Sequence, residues 1–222
     1  MPEIAHLQER DPKSIPSVYG SSYRLLFVLA LPAFASITVA SPLISRLWIG
    51  RYEPAFVEFV AILSAGWLVN VLANPAYVAR LGTGALRSVS IGCVTTVILN
   101  AALGVLAGRF AAPHAVGGPA VVASAAFSLA SGYAIVMFQY HRENRVPFAR
   151  LIPEGSGMIL AAAMLSALFI LFALRSSAFA SPTLARPATV ATAILLVMIL
   201  IAAWRHPMRK RVWRWVFNRV PA

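Results

Sequence analysis

"AFVEFVAILSAGWLVNVLANPAYVARLG", residues 55 to 82, holds no charged side chain between Glu58 and Arg80. At about 1.5 Å per residue an uncharged helix of this length spans about 30 Å, the thickness of a bilayer's hydrocarbon core. The stretch therefore predicts a membrane-crossing helix over 55 to 79, and the rest of the chain repeats the pattern. Uncharged or nearly uncharged stretches also run approximately over 25 to 45, 88 to 108, 117 to 139, 156 to 174 and 188 to 204, which makes six. With 59% apolar and 12% charged residues, and a mean hydropathy of +0.76, the 222-residue chain is too oily for a soluble domain of its size. In lipid an open strand leaves its backbone N–H and C=O groups unpaired, so each stretch must be helical. None of them alternates apolar and polar positions as a β-barrel strand does. The expected fold is all-α and integral to the membrane. A cytoplasmic segment over 1–22 precedes a six-helix lobe over 23–204, and a basic tail follows over 205–222. The first 22 residues lack a short apolar core and a small-residue cleavage site, so they are not a secretory signal peptide.

The net charge is +12, but in a multispanning chain the position of each cation matters more than the sum. With the N-terminus placed in the cytoplasm, fourteen Lys and Arg fall on that side, Arg24, Arg80, Arg87 and Arg142 among them. Five fall on the other: Arg46, Arg51, Arg109, Arg175 and Arg186. This bias puts both termini in the cytoplasm, with the charge directed at a membrane surface and not at nucleic acid. In the tail, Trp213, Val216, Phe217 and Val220 stand at helical spacing among arginines, the pattern of an amphipathic helix lying along the inner leaflet. Trp48, Tyr52, Tyr140 and Trp204 fall at span ends, where an aromatic belt is expected.

Nothing in the chain points to an enzyme, a cofactor or a metal. Cys93 is the single cysteine and reads as a small core residue, while His6, His114, His141 and His206 are scattered without ligand spacing. No phosphate-binding glycine motif and no nucleophile elbow is present. The information lies instead in polar residues inside the spans. Positions three and four apart share a helix face, so Gly66, Asn70, Asn74, Tyr77 and Arg80 are expected to form one stripe. Moving an amide into a medium without hydrogen bonds costs roughly 4 to 8 kcal/mol, and an interhelical hydrogen bond returns only about 0.6. The stripe must therefore turn toward other helices or water. Pro75 removes a backbone donor near the asparagines and predicts a bend. In the third span Ser88, Gly92, Thr96, Asn100, Gly104 and Gly108 recur every four residues, and in the fourth Ala120, Ser124, Ser128 and Gly132 do the same. Gly92, Thr96, Gly104, Gly108, Ser124 and Ser128 are expected to mediate close helix packing. The fifth and sixth spans are nearly all Ala, Leu, Ile, Phe, Val and Met, which predicts that spans one to four form the packed or cavity-lining part and that spans five and six sit toward the lipid. Glu58 and Glu154 lie at span ends, and Glu58 is placed to pair with Arg46 or Arg51.

Taken in order, several features resemble the C-terminal half of polysaccharide-type flippases in the multidrug/oligosaccharidyl-lipid/polysaccharide exporter superfamily. They are Pro32, the Leu-Trp-x-Gly-x-Tyr turn at Leu47 to Tyr52, Pro75 ahead of a Gly-containing loop, Asn100 after an aliphatic run, and Gly-Gly-x-Ala-x-x-Ala-Ser over 117 to 124. The resemblance covers roughly residues 1 to 150. It implies one lobe of a two-lobe fold in a bacterial inner membrane, moving lipid-linked oligosaccharide by alternating access. The implied partners are membrane lipid, a glycan on undecaprenyl diphosphate, and a separate N-terminal lobe or a second copy. In that reading Asn70, Asn74, Tyr77 and Asn100 offer hydrogen bonds to sugar or phosphate, and Arg24, Arg80 and Arg87 attract the diphosphate. A multidrug or cation antiporter half of the same superfamily, and a non-transporting scaffold that binds other helices, are the alternatives. The antiporter requires acids at membrane depth, and the middle third of each span has none.

Overall fold

The computed structural model describes residues 7, 9–111, 117–147, 152–176, 178–181 and 184–209. After one turn of 3-10 helix at Pro12–Ser14 come six α-helices: α1 (Ile15–Ile49), α2 (Pro54–Gly82), α3 (Leu86–Phe110), α4 (Gly117–Asn144), α5 (Gly157–Arg175) and α6 (Ala185–Arg205). All six are long and apolar enough to cross a membrane, and the described residues contain no strand. The fold is all-α and multi-pass. The tail helix expected around Trp213 to Val220 lies outside the described residues.

Helix ends follow local chemistry. The expected segment over 1–22 is partly helical, because α1 begins at Ile15. Ser14 Oγ donates to the Asp11 carbonyl at 2.8 Å, and Pro16 sits in the first turn, where its missing N–H has no helical partner to lose. At about 1.5 Å per residue, α1 exceeds the hydrocarbon core by several turns, so it projects into the interface. It stops at Gly50, whose φ of +82° favours glycine and whose N–H donates to the Arg46 carbonyl at 3.1 Å. Ser45 Oγ then pins the following turn by donating to the Arg51 carbonyl at 3.0 Å and accepting from Glu53 N–H at 2.8 Å. In α2, Pro75 is buried within a helix that continues to Gly82.

The helices group into two compact units, Met1–Arg24 with Ile62–Ile152 and Leu25–Ala61 with Pro153–Ala222. This corrects the expected separation of spans one to four from five and six: most of α1 and the start of α2 cluster with the aliphatic pair. Apolar helices bury surface wherever shapes fit, so composition did not define the grouping.

In the first unit α3 and α4 meet backbone to backbone. A methyl group at Gly92 would come within 2.7 Å of the Gly132 carbonyl oxygen, and one at Gly132 would collide with Thr96. Thr96 Oγ1 donates back to the Gly92 carbonyl at 3.1 Å, and Ser128 Oγ to the Ser124 carbonyl at 2.6 Å, so neither hydroxyl is left unpaired in lipid. Gly66 of α2 is similarly tight, with a built methyl 2.9 Å from Ala126 Cβ. The expected packing stripe ends early, however. Gly104 makes only ordinary contact with Ser124 Oγ, at 4.0 Å from a built methyl, and Gly108 faces open space. Its four-residue spacing turns about 40° per step relative to a helix of 3.6 residues per turn, so the stripe winds off the interface.

In the second unit Phe179 is fully buried, stacked on Tyr52 at 5.5 Å and edge-on to Phe169 at 6.0 Å. Tyr52 Oη donates to the Ala173 carbonyl at 2.9 Å, and burial pushes this phenol's pKa up. Arg46 donates to the Phe179 carbonyl and Arg51 pairs with Glu53 at 3.2 Å, which replaces the expected pairing with Glu58. Trp48 and Trp204 are exposed as a belt requires, but Tyr140 is buried. Next to α6, His206 Nδ1 accepts the Met208 N–H at 3.2 Å and Nε2 lies 3.3 Å from Ser156 Oγ. Burial holds this imidazole below the ordinary histidine range.

Two predictions follow from this packing. Gly132→Ala should lower the stability of detergent-solubilised protein by about 1–3 kcal/mol through overpacking. Gly108→Ala should raise it by up to about 1 kcal/mol through helix propensity alone; equal effects would contradict the α3–α4 interface. Because folding favours neutral His206, its contribution is complete above the unfolded value of about 6.5 and declines as pH falls below it. Amide exchange at Met208, corrected for intrinsic rate, should accelerate on acidification in the wild type and lose that extra acceleration in His206→Phe.

Candidate anion site

The chain turns sharply between α2 and α3. Gly84 adopts a φ of +72° and Ala85 N–H donates to the Arg80 carbonyl at 2.9 Å, so Arg80 and Arg87 flank a three-residue loop. The end of α4 brings Gln139, Arg142 and Glu143 to the same place. Together with Ser88 and Ile91 these residues line an open cavity of about 580 Å³. Three guanidinium groups and one carboxylate share it. The N-terminus of α3 adds to the positive field: Ala85 provides no side-chain cap, and Leu86 N–H donates to the Gly84 carbonyl at 2.8 Å.

Arg80 is the unusual member, with only 7% of its surface exposed. Its Nη1 donates to Glu143 Oε2 at 2.6 Å, and its guanidinium carbon lies 5.6 Å from the centre of the Tyr140 ring. Its Nε and Nη2 are buried without a hydrogen-bond partner. Glu143 is the opposite case, since 60% of its side chain is exposed. Behind Arg80, Tyr140 packs 4.3 Å from the Tyr19 ring, and Tyr19 Oη lies 2.5 Å from His141 Nε2. The start of α1 is thereby fixed to the end of α4, and both belong to the arginine end of this unit.

The structure sorts the residues singled out from the sequence. Arg80 and Arg87 share the cavity. Arg24 is half-buried, and its Nε donates to the Gly20 carbonyl at 3.1 Å instead of joining them. Asn70 is buried, whereas Asn74 and Asn100 are exposed, so the expected continuous amide stripe is broken. The reason is again the drift of about 40° at each four-residue step; the buried face of α2 passes through Gly66, Asn70, Ala73, Ala76 and Arg80 instead. Tyr77 lines a separate apolar cavity of about 210 Å³, its ring tilted by 30° to that of Tyr133 at 5.3 Å. Cys93 lines that cavity and is exposed, which corrects its reading as a core residue. Arg142, Glu143 and Gln139 were missed as site residues. The only sequence signal for Arg142 was its place on the same side as Arg80 and Arg87, and Glu143 carried none.

A buried charge with unsatisfied donors weakens a fold. Arg80→Met, which keeps the volume and removes the charge, should leave stability unchanged or raise it by about 1–2 kcal/mol. Thermal unfolding in detergent measures this, and a large loss would make Arg80 a structural residue. No protein family, curated protein or solved structure matches this chain.

Proposed function

We propose that the chain is a six-helix lobe of a transporter that moves lipid-linked oligosaccharide across a bacterial inner membrane, with both termini in the cytoplasm. The observation that carries this reading is the cluster of Arg80, Arg87 and Arg142 around one cavity at the end of the unit where α1 begins. Read along the sequence, Arg80, Arg87 and Arg142 are all among the fourteen Lys and Arg on the more basic side of the spans, the side that the positive-inside rule assigns to the cytoplasm. A diphosphate suits the cavity because its several acceptor oxygens match the forked donors of arginine and its charge offsets theirs. A lipid suits it as well. Ile91 lines the cavity, and Val94 and Ile98 continue from it at helical spacing along an exposed apolar face of α3, where a hydrocarbon chain can remain in the bilayer. The order of motifs that resembles exporter flippases supports the same substrate class, and with it a partner lobe or second copy facing this one. In this reading the chain catalyses no bond-making step.

The test is genetic and chemical. Disrupting the gene in its own host should deplete surface glycan and accumulate the lipid diphosphate-linked glycan in the cytoplasmic leaflet. Wild-type protein should restore both, and Arg80→Ala should not. Unchanged surface glycan and an unchanged lipid-linked pool in the disrupted strain would contradict the proposal.

A further inference from the structure

We infer that Glu143 is a built-in competitor for the ligand of the Arg80 cavity, and that it excludes singly charged bulk phospholipids in favour of doubly charged headgroups. This rests on reading the cavity as a site for a lipid diphosphate.

The two partners of the ion pair differ in freedom. Arg80 is buried to more than nine-tenths, whereas Glu143 has a side chain 60% exposed and stands at the last turn of α4. Glu143 can turn out to water with little loss, and Arg80 cannot. When an anion enters, the carboxylate is therefore the group displaced. Arg80 also holds two nitrogens, Nε and Nη2, that Glu143 leaves unsatisfied. A ligand that carries more acceptor oxygens than a carboxylate gains hydrogen bonds that the resting pair does not make.

Charge then decides which ligand succeeds. Arg80, Arg87 and Arg142 against Glu143 leave an excess of two positive charges in the cavity lining. A phosphodiester headgroup carries one negative charge, so it replaces Glu143 at Arg80 charge for charge and gains little. A diphosphate diester carries two, so it satisfies Arg80 and has charge left for Arg87 and Arg142. The arrangement matters because anionic phospholipids vastly outnumber any lipid-linked intermediate at an inner leaflet. An all-arginine cavity would fill with them. A carboxylate held at 2.6 Å from the buried guanidinium sets a threshold that works by repulsion, the element that specificity commonly needs beside attraction.

The test uses the full chain in nanodiscs and, as the probe, an isotopically labelled farnesyl diphosphate esterified by a methyl group on its terminal phosphate, a doubly charged diester. In phosphatidylcholine discs the wild type should bind it and Arg80→Ala should not. Replacing part of the lipid with phosphatidylglycerol should weaken wild-type binding by less than about twofold. Glu143→Gln should bind the probe about tenfold tighter in phosphatidylcholine, yet lose about tenfold when phosphatidylglycerol is present. Glu143→Asp, which keeps the charge on a shorter arm, should fall between the two. Arg80-dependent wild-type binding, with Glu143→Gln neither tighter nor more sensitive to phosphatidylglycerol, overturns the inference and leaves the site reading standing. Absence of Arg80-dependent binding in the wild type overturns the site reading itself. If Glu143→Gln and Glu143→Asp both fail to fold, the pair is structural and the inference is overturned as well.

Discussion

Hydrocarbon supplies no hydrogen bonds, and the architecture follows from that constraint. Backbone groups must be satisfied within each span, hence six helices and no strand among the described residues. The same constraint governs polar side chains. Thr38, Ser41, Ser88, Thr96, Ser124, Ser128, Ser166 and Thr192 each return their hydroxyl proton to a carbonyl three or four residues back along the chain. In that state they behave as small residues, which is what lets α3 and α4 touch at Gly92 and Gly132.

Arg80 is where the constraint is not met. A guanidinium does not lose its proton, so its charge stays in a place with little water and one carboxylate. Nothing in the packing of α2 requires an arginine there, since Ala73, Ala76 and Ala79 bury the same helix with methyl groups. Residues that violate the rule obeyed by the rest of a fold are drawn toward function. The aromatic backing of Tyr140 and Tyr19, with His141 tied to Tyr19, shows how the chain tolerates this charge: polarisable rings on one side and an exposed acid on the other.

The number and type of helices were legible because twenty apolar residues in a row have few alternatives. The glycine contact was legible in part. Gly92 and Gly132 behave as their spacing implied, but a four-residue repeat cannot follow one face for long, so Asn74, Asn100 and Gly108 fell away from it. The cavity was half legible. Arg80 and Arg87 are close in sequence across a short loop, whereas Arg142 and Glu143 reach them through α4 from about sixty residues away, a pairing no local pattern encodes. The two-unit grouping was not legible, because aliphatic helices carry no label for their neighbours.

The central claim is that the buried charge of Arg80 waits for an external anion. The most direct measurement is an experimental structure of the full chain in nanodiscs with a polyprenyl diphosphate bound. The account predicts phosphate oxygens within hydrogen-bond distance of Arg80 Nε and Nη2, with Glu143 turned out to solvent. An intact Arg80–Glu143 pair, with the diphosphate seated elsewhere, would contradict it.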